Sequence, residues 1–197
     1  MVDGLVGSEM CIRDSGMVVA GHASVVAEMA GFRLPIESVP LQALVSEPIK
    51  PCMDVVVMAN TVHGYMSQSD KGEMVIGGGT DGYNAYTQRG SFHHLEETVR
   101  ALIETFPMIS RLKMLRHWGG IVDVTGDRSP ILSKTPLGNT FINCGWGTGG
   151  FKAIPGSGWG FAELMAKGES PLTAEFGLDR FRAGRFVDES VAAGVAH

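Results

Sequence analysis

Apolar residues recur along this chain at two spacings, and those spacings divide it into helices and strands. Leu95, Val99, Leu102, Ile103 and Phe106 repeat at intervals of three and four, which puts them on one face of a helix over 92–106. Ser91 stands at its N-cap position, Glu96 and Glu97 lie in its early turns, and Pro107 follows its end. Short apolar or alternating runs predict strands over 17–20, 41–46, 55–59 and 140–144. Segments 64–69 and 74–78 flank Asp70-Lys71-Gly72-Glu73 and predict a hairpin. Residues 112–124 read as one or two strands broken by Gly119-Gly120. Further helices are expected over 23–30, ended by Gly31, and over 153–167, with a short one at 176–181. Pro35 and Pro40 punctuate an extended stretch between. Several strands with few helices predict an α+β fold, a mixed or antiparallel sheet with helices on one side. Residues 1–16 have no period and are expected to be disordered. The run from Val6 to Ser15 resembles a translated sequencing-adapter fragment, so it is expected to be an artefact.

Composition narrows the class. A length of 197 residues suits one domain, or one domain and a remnant of another, and 44% hydrophobic with 19% charged residues allows a real core. The net charge of −5, with no basic run, gives nucleic-acid binding little support. Cys11, Cys52 and Cys144 are odd in number and lack CxxC spacing, so neither a disulfide framework nor a zinc site is indicated, and a reducing cytoplasm is expected. No apolar run approaches the roughly 18 residues of a membrane helix, and no signal-peptide pattern opens the chain.

The 27 glycines direct attention to two loops. Gly77, Gly79 and Gly82 match G-x-G-x-x-G after a strand, but no helix follows, so a strand end or tight bend is preferred to a dinucleotide loop. Gly145, Gly147 and Gly150 match again, between a strand and a helix. No second parallel strand with an acidic residue follows, so this is no complete dinucleotide unit. Phe151 separates Gly150 from Lys152, and Ala153 stands where a Walker loop needs Ser or Thr. What remains is a helix-start anion site with Lys152, weighed against a loop needed only for packing. Elsewhere, His63, Tyr65 and Gln68 lie on or beside one strand, where Tyr65 either orients a small polar substrate or is a half-buried sheet residue. His93-His94 reads as a solvated helix end rather than a metal site. His117-Trp118-Gly119-Gly120 reads equally as a flat-ligand lining or a core Trp.

Four stretches carry a resemblance: Ala30 to Glu37, Ser67 to Gly72, Arg116 to Thr125, and Asn143 to Lys152 followed by Pro155-Gly156-Ser157-Gly158. Together they resemble the sarcosine oxidase beta-subunit group of the D-amino-acid-oxidase-like FAD-dependent oxidoreductases, over the C-terminal half of a longer protein. The resemblance implies a substrate domain at about 35–125, an FAD-binding Rossmann-like remnant at about 17–34 and 126–170, and a tail at 171–197. It implies oxidative demethylation of sarcosine to glycine, with formation of hydrogen peroxide and a one-carbon unit taken up by tetrahydrofolate. FAD is the implied cofactor, with covalent FMN in the complete complex and other subunits as partners. Gly147, Thr148, Gly149, Gly150 and Lys152 would face the flavin pyrimidine ring, Lys152 and Tyr65 would serve the substrate, and His117 to Gly120 would lie beside the ring. The N-terminal FAD fingerprint, the FMN-binding histidine and the upstream substrate arginine are missing, and Gly126 and Ser133 replace Pro and Gly. An isolated fragment is therefore expected to be inactive. The alternative is an autonomous anion-binding or subunit-interaction module without redox activity.

Overall fold

The computed structural model describes residues 14–59 and 64–187. Along them run β1 (Ser15–Met17), α1 (Ala23–Met29), β2 (Ile36–Pro48), β3 (Val57–Ala59), β4 (Gly64–Gln68), β5 (Glu73–Thr80), α2 (Phe92–Thr105), β6 (Met114–Thr125), β7 (Ile131–Lys134), β8 (Thr140–Cys144), α3 (Gly150–Lys167) and α4 (Asp179–Ala183). A three-stranded sheet has the order β1-β8-β7, with β1 parallel and β7 antiparallel to β8. A five-stranded sheet has the order β3-β4-β5-β2-β6, and its first three pairings are antiparallel. This is the α+β class expected from the strand and helix pattern. The chain falls into two compact units, 14–38 with 122–187, and 39–59 with 64–121. The division lies inside β2 and inside β6.

In the first unit, successive residues of one strand face opposite sides of the small sheet. Ile131, Ile142 and Cys144 pack with Ala23 of α1 and with Leu178 and Phe181. Leu132 and Phe141 pack instead with Phe161 and Leu164 of α3. Both faces are thus covered, which is why Phe141, Ile142, Asn143 and Cys144 are all buried rather than alternating. In the second unit, Leu44, Met66, Met74 and Ile76 meet Leu95 and Leu102 of α2. Ser91 caps α2 by accepting the His94 N–H at 3.3 Å.

Several boundaries differ from the sequence reading, each for a local reason. Ser15 and Gly16, expected to be disordered, pair with Thr140 and Phe141 because β8 offers them a ladder edge. Residues 1–13 lie outside the described residues, as do 60–63 and 188–197. β2 runs through Pro40, which still offers its carbonyl and accepts the Asp81 N–H at 3.0 Å, while the register shifts between Leu41 and Gln42. β6 passes unbroken through Gly119-Gly120, and the Gly119 N–H donates to Gln88 O at 2.8 Å. β7 escaped the periodicity argument because only two apolar residues, Ile131 and Leu132, mark it. α3 begins at Gly150, three residues earlier than expected, and α4 spans 179–183 rather than 176–181.

Candidate functional site

β8 ends at Cys144, and the chain turns into α3 through Gly145 to Gly149. Gly145 (φ +74°) and Gly147 (φ +52°) occupy the left-handed region that favours glycine. The two positions serve different ends. A β-carbon at Gly145 would stand 2.8 Å from Thr125 Cγ2, so that glycine is demanded by packing. At Gly147 the nearest atom to such a carbon is the Asp123 carbonyl oxygen at 3.8 Å, and at Gly149 it is Lys152 Cε at 3.9 Å, so neither position is crowded: each would meet one atom at ordinary van der Waals distance. Gly150 packs on Trp146, whose Nε1–H donates to Asn143 Oδ1 at 2.6 Å.

The start of α3 has no side-chain cap and no acidic residue in its first turn. Its N–H groups and the positive end of the helix dipole therefore point at whatever approaches the turn. Lys152 curls back over Gly149, and among the described residues it has no carboxylate partner. A cavity of about 300 Å³ opens beside it, lined by Trp146, Lys152, Ala153, Ser157, Leu172 and Phe176 among others. Two uncrowded glycines, an uncapped helix start and an ammonium without a carboxylate partner among the described residues together suit an electron-rich edge or an anion. Residues of this kind would accept the electron-rich edge of a flat cofactor. Gly147, Thr148, Gly149, Gly150 and Lys152 lie together here, in the first unit.

Tyr65 belongs to the second unit. It pairs with Gly77 across β4 and β5, and its ring lies over the space a Gly77 side chain would need. Burial raises its phenol pKa above the ordinary value. Gly79 makes room in the same way for the His94 ring, whose Nε2 lies 2.9 Å from Gly78 O. The first G-x-G-x-x-G match is therefore a packing device. His94 is half-buried against that strand, and exposed His93 faces Glu97 at 3.3 Å. Gln68 is consumed by the backbone: its Oε1 accepts from Cys52 and Met53, and its Nε2 donates to Ile49, Lys50 and Gly72. His63 lies outside the described residues. Trp118 is 37% exposed, so it is no core residue.

Periodicity gave no sign of the buried polar groups. Asp81 accepts from Gln42 Nε2 and from Ser91 Oγ, each at 2.6 Å, and Gln42 Oε1 lies 2.8 Å from His117 Nε2. Burial lowers the His117 pKa, assisted by nearby His94 and opposed by Asp81. Asp123, on β6 beneath Gly147, is 4% exposed. One of its oxygens accepts from Ser38 Oγ at 3.0 Å, while Oδ2 has no hydrogen-bond partner among the described residues. Burial pushes its carboxyl up to about 6, against the lowering effects of Ser38 and His22. Arg180 and Asp127 form a buried ion pair at 2.7 Å. The one available signal for these groups was a lone Asp or Arg inside an otherwise apolar or turn-rich stretch.

The chain belongs to the DAO family of FAD dependent oxidoreductases, whose pattern matches residues 2–164. It is 80% identical over 181 residues to sarcosine oxidase subunit beta of Rhodobacter capsulatus, covering 92% of this chain and 44% of that protein. Sarcosine oxidase subunit beta of an Arthrobacter species is 56% identical over 179 residues, with coverages of 90% and 44%. Among solved structures, L-proline dehydrogenase from P. horikoshii matches with a TM-score of 0.79 and 26% identity, covering 88% of this chain and 48% of that one. Glycine oxidase from Geobacillus kaustophilus matches with a TM-score of 0.74 at 20% identity, covering 85% and 45%, a likeness of fold. The chain spans about 44% of the length of these two curated relatives.

Proposed function

We propose that this chain forms the pyrimidine-side loop and substrate sheet of a sarcosine-oxidising flavoenzyme, working as part of a longer cytoplasmic polypeptide among other subunits. The observation that carries the proposal is Lys152 folded back over an uncapped, glycine-lined helix start. The 80% identity to a sarcosine oxidase subunit beta supports the choice of substrate. In this reading residues 35–125 form the substrate domain, and residues 17–34 with 126–170 belong to the flavin domain. FAD, when bound, accepts the electron pair released from the substrate's C–N unit. The N–H groups and dipole at the start of α3 hold negative charge at the turn, in a site already organised before charge develops. Lys152 adds a full positive charge and pairs with the substrate carboxylate. Tyr65, in the second unit, keeps its phenol proton through burial and serves as a substrate-side hydrogen-bond donor. Molecular oxygen takes up the two electrons and becomes hydrogen peroxide, and the other products are glycine and a one-carbon unit captured by tetrahydrofolate, with FMN carried in the complete complex.

The test is a chimera in which this chain replaces the matching 181-residue region of the R. capsulatus subunit. Purified with its partner subunits, it is expected to show a flavin spectrum and sarcosine-dependent peroxide. Lys152→Met in the chimera is expected to lower turnover about 100-fold, the scale of losing one preorganised charge-stabilising group. A flavin-loaded chimera with near-normal turnover after that change would overturn the role of Lys152. A folded chimera without flavin would overturn the cofactor reading.

A further inference from the structure

Arg180 is 4% exposed, yet every donor nitrogen of its guanidinium is engaged. Nε donates to Asp127 Oδ2 at 2.7 Å, and Nη2 donates to Asp127 Oδ1 at 3.0 Å and to Ser129 O at 2.8 Å. Nη1 donates to Phe176 O at 3.1 Å and to Gly177 O at 3.4 Å, and the group lies 4.1 Å over the Phe181 ring. The planar fork suits this multiple pairing in a way that an ammonium cannot reproduce. Asp127 in turn accepts the N–H groups of Ser129 and Val187, each at 3.3 Å.

Ser129 O has a second donor. Thr125 Oγ1, at the end of β6, donates to it at 2.7 Å, and both groups are buried. The Thr125 methyl then stands against Gly145, so closely that Gly145 could carry no side chain. Two residues earlier on β6, Asp123 O lies beneath Gly147. The end of β6 is therefore the floor of the turn, and one carbonyl ties that floor to Arg180. A side chain that merely stapled the C-terminal segment would need only its bonds to Phe176, Gly177 and Asp127.

We infer that Arg180 is a positioning residue for the Gly145 to Gly149 turn, acting through Ser129 and Thr125. The role rests on reading that turn as the cofactor loop. It requires no contact between Arg180 and cofactor or substrate.

Amide hydrogen exchange in the full 197-residue chain tests the coupling, with no cofactor present. Arg180→Lys keeps the charge but loses the fork. Thr125→Val keeps Arg180, Asp127 and the side-chain shape but removes the bond to Ser129 O. Both variants are expected to speed exchange at Gly145 to Gly149 by roughly 2–30-fold, the span of couplings carried through packed networks. The Gly149 N–H, bonded to Trp146 O at 3.0 Å, is the most direct reporter. Unchanged exchange at the turn, with faster exchange confined to residues 127–129 and 176–187, would overturn the inference. Should Arg180→Lys fail to fold, Arg180→Gln takes its place, because it removes the fork while keeping donors for nearby carbonyls, and Thr125→Val tests the Thr125 link separately. A chimera without flavin would sink the cofactor reading, whereas unaltered exchange at the turn would sink the coupling, so the two failures are distinct.

Discussion

A single carboxyl shows how much a buried residue constrains this protein. Asp123 is 4% exposed, with one oxygen satisfied by Ser38 and the other by nothing in the described chain. Its pKa rises from 3.8 to about 6, chiefly through burial. The folded state therefore holds this proton more tightly than the unfolded state. The stability it contributes is fully present below about pH 4 and is lost as pH rises through about 6. Asp123→Asn removes that titration. Urea melts at pH 4 and pH 7.5 are expected to show the wild type losing up to about 3 kcal/mol more than the variant between those values. Equal losses in both proteins would show that Asp123 does not titrate in this window. Such residues were not legible in the sequence, because an isolated Asp in a strand looks the same whether it faces solvent or core. Arg180 and Asp127 were missed for the same reason, being 53 positions apart.

At the scale of elements, α3 is weak by composition and strong by packing. Gly156, Gly158, Gly160 and Pro155 all lie inside its 18 residues, and each lowers intrinsic helix stability. Gly158 has open space where a side chain would project, whereas a β-carbon at Gly160 would lie 3.2 Å from Leu172 and Thr173. Gly158→Ala is expected to stabilise the chain by about 0.5–1 kcal/mol, and Gly160→Ala to bring no such gain. Chemical denaturation of the two variants side by side checks this, and a larger gain at Gly160 would contradict the packing assignment. Elements with a strong period or cap were legible: α2 from its apolar face and Ser91, and the hairpin of β4 and β5 from Asp70 to Glu73. β7 was not, because burial on both faces leaves so short a strand no alternation to read. The turn from 145 to 150 was legible as a glycine-rich passage from a strand into a helix, with Lys152 in its first turn. Which of its glycines are demanded by packing became visible only in three dimensions, where a β-carbon at Gly145 would collide with Thr125 while one at Gly147 would meet only the Asp123 carbonyl oxygen at van der Waals distance.

For the molecule as a whole, the decisive fact is apolar surface left in water. Phe151 (88% exposed), Ile154 (58%) and Trp159 (72%) project from α3, with no charged residue between Lys152 and Glu163. A helix apolar on every side is ordinarily a buried helix. Met29 adds to the exposed apolar surface of this unit. In the proposed reading the rest of a longer protein covers the face of α3. The isolated chain is expected to self-associate at micromolar concentration. Trp159→Glu should reduce that association in sedimentation velocity while lowering the yield of flavin-loaded chimera. A variant that leaves both unchanged would mean that this face has no partner.

The pairing of β1 with β8 has a consequence in time. Ser15 meets Thr140, and Met17 meets Ile142, in a parallel ladder between distant parts of the chain. Contacts so remote in sequence are slow to form. During synthesis, Ser15 to Met17 leave the ribosome long before their partner strand exists, while residues 39–121 can already collapse around α2. The small sheet that supports the glycine turn therefore closes last, and until it does, its first strand travels as an unpaired edge open to chaperones or to misassembly.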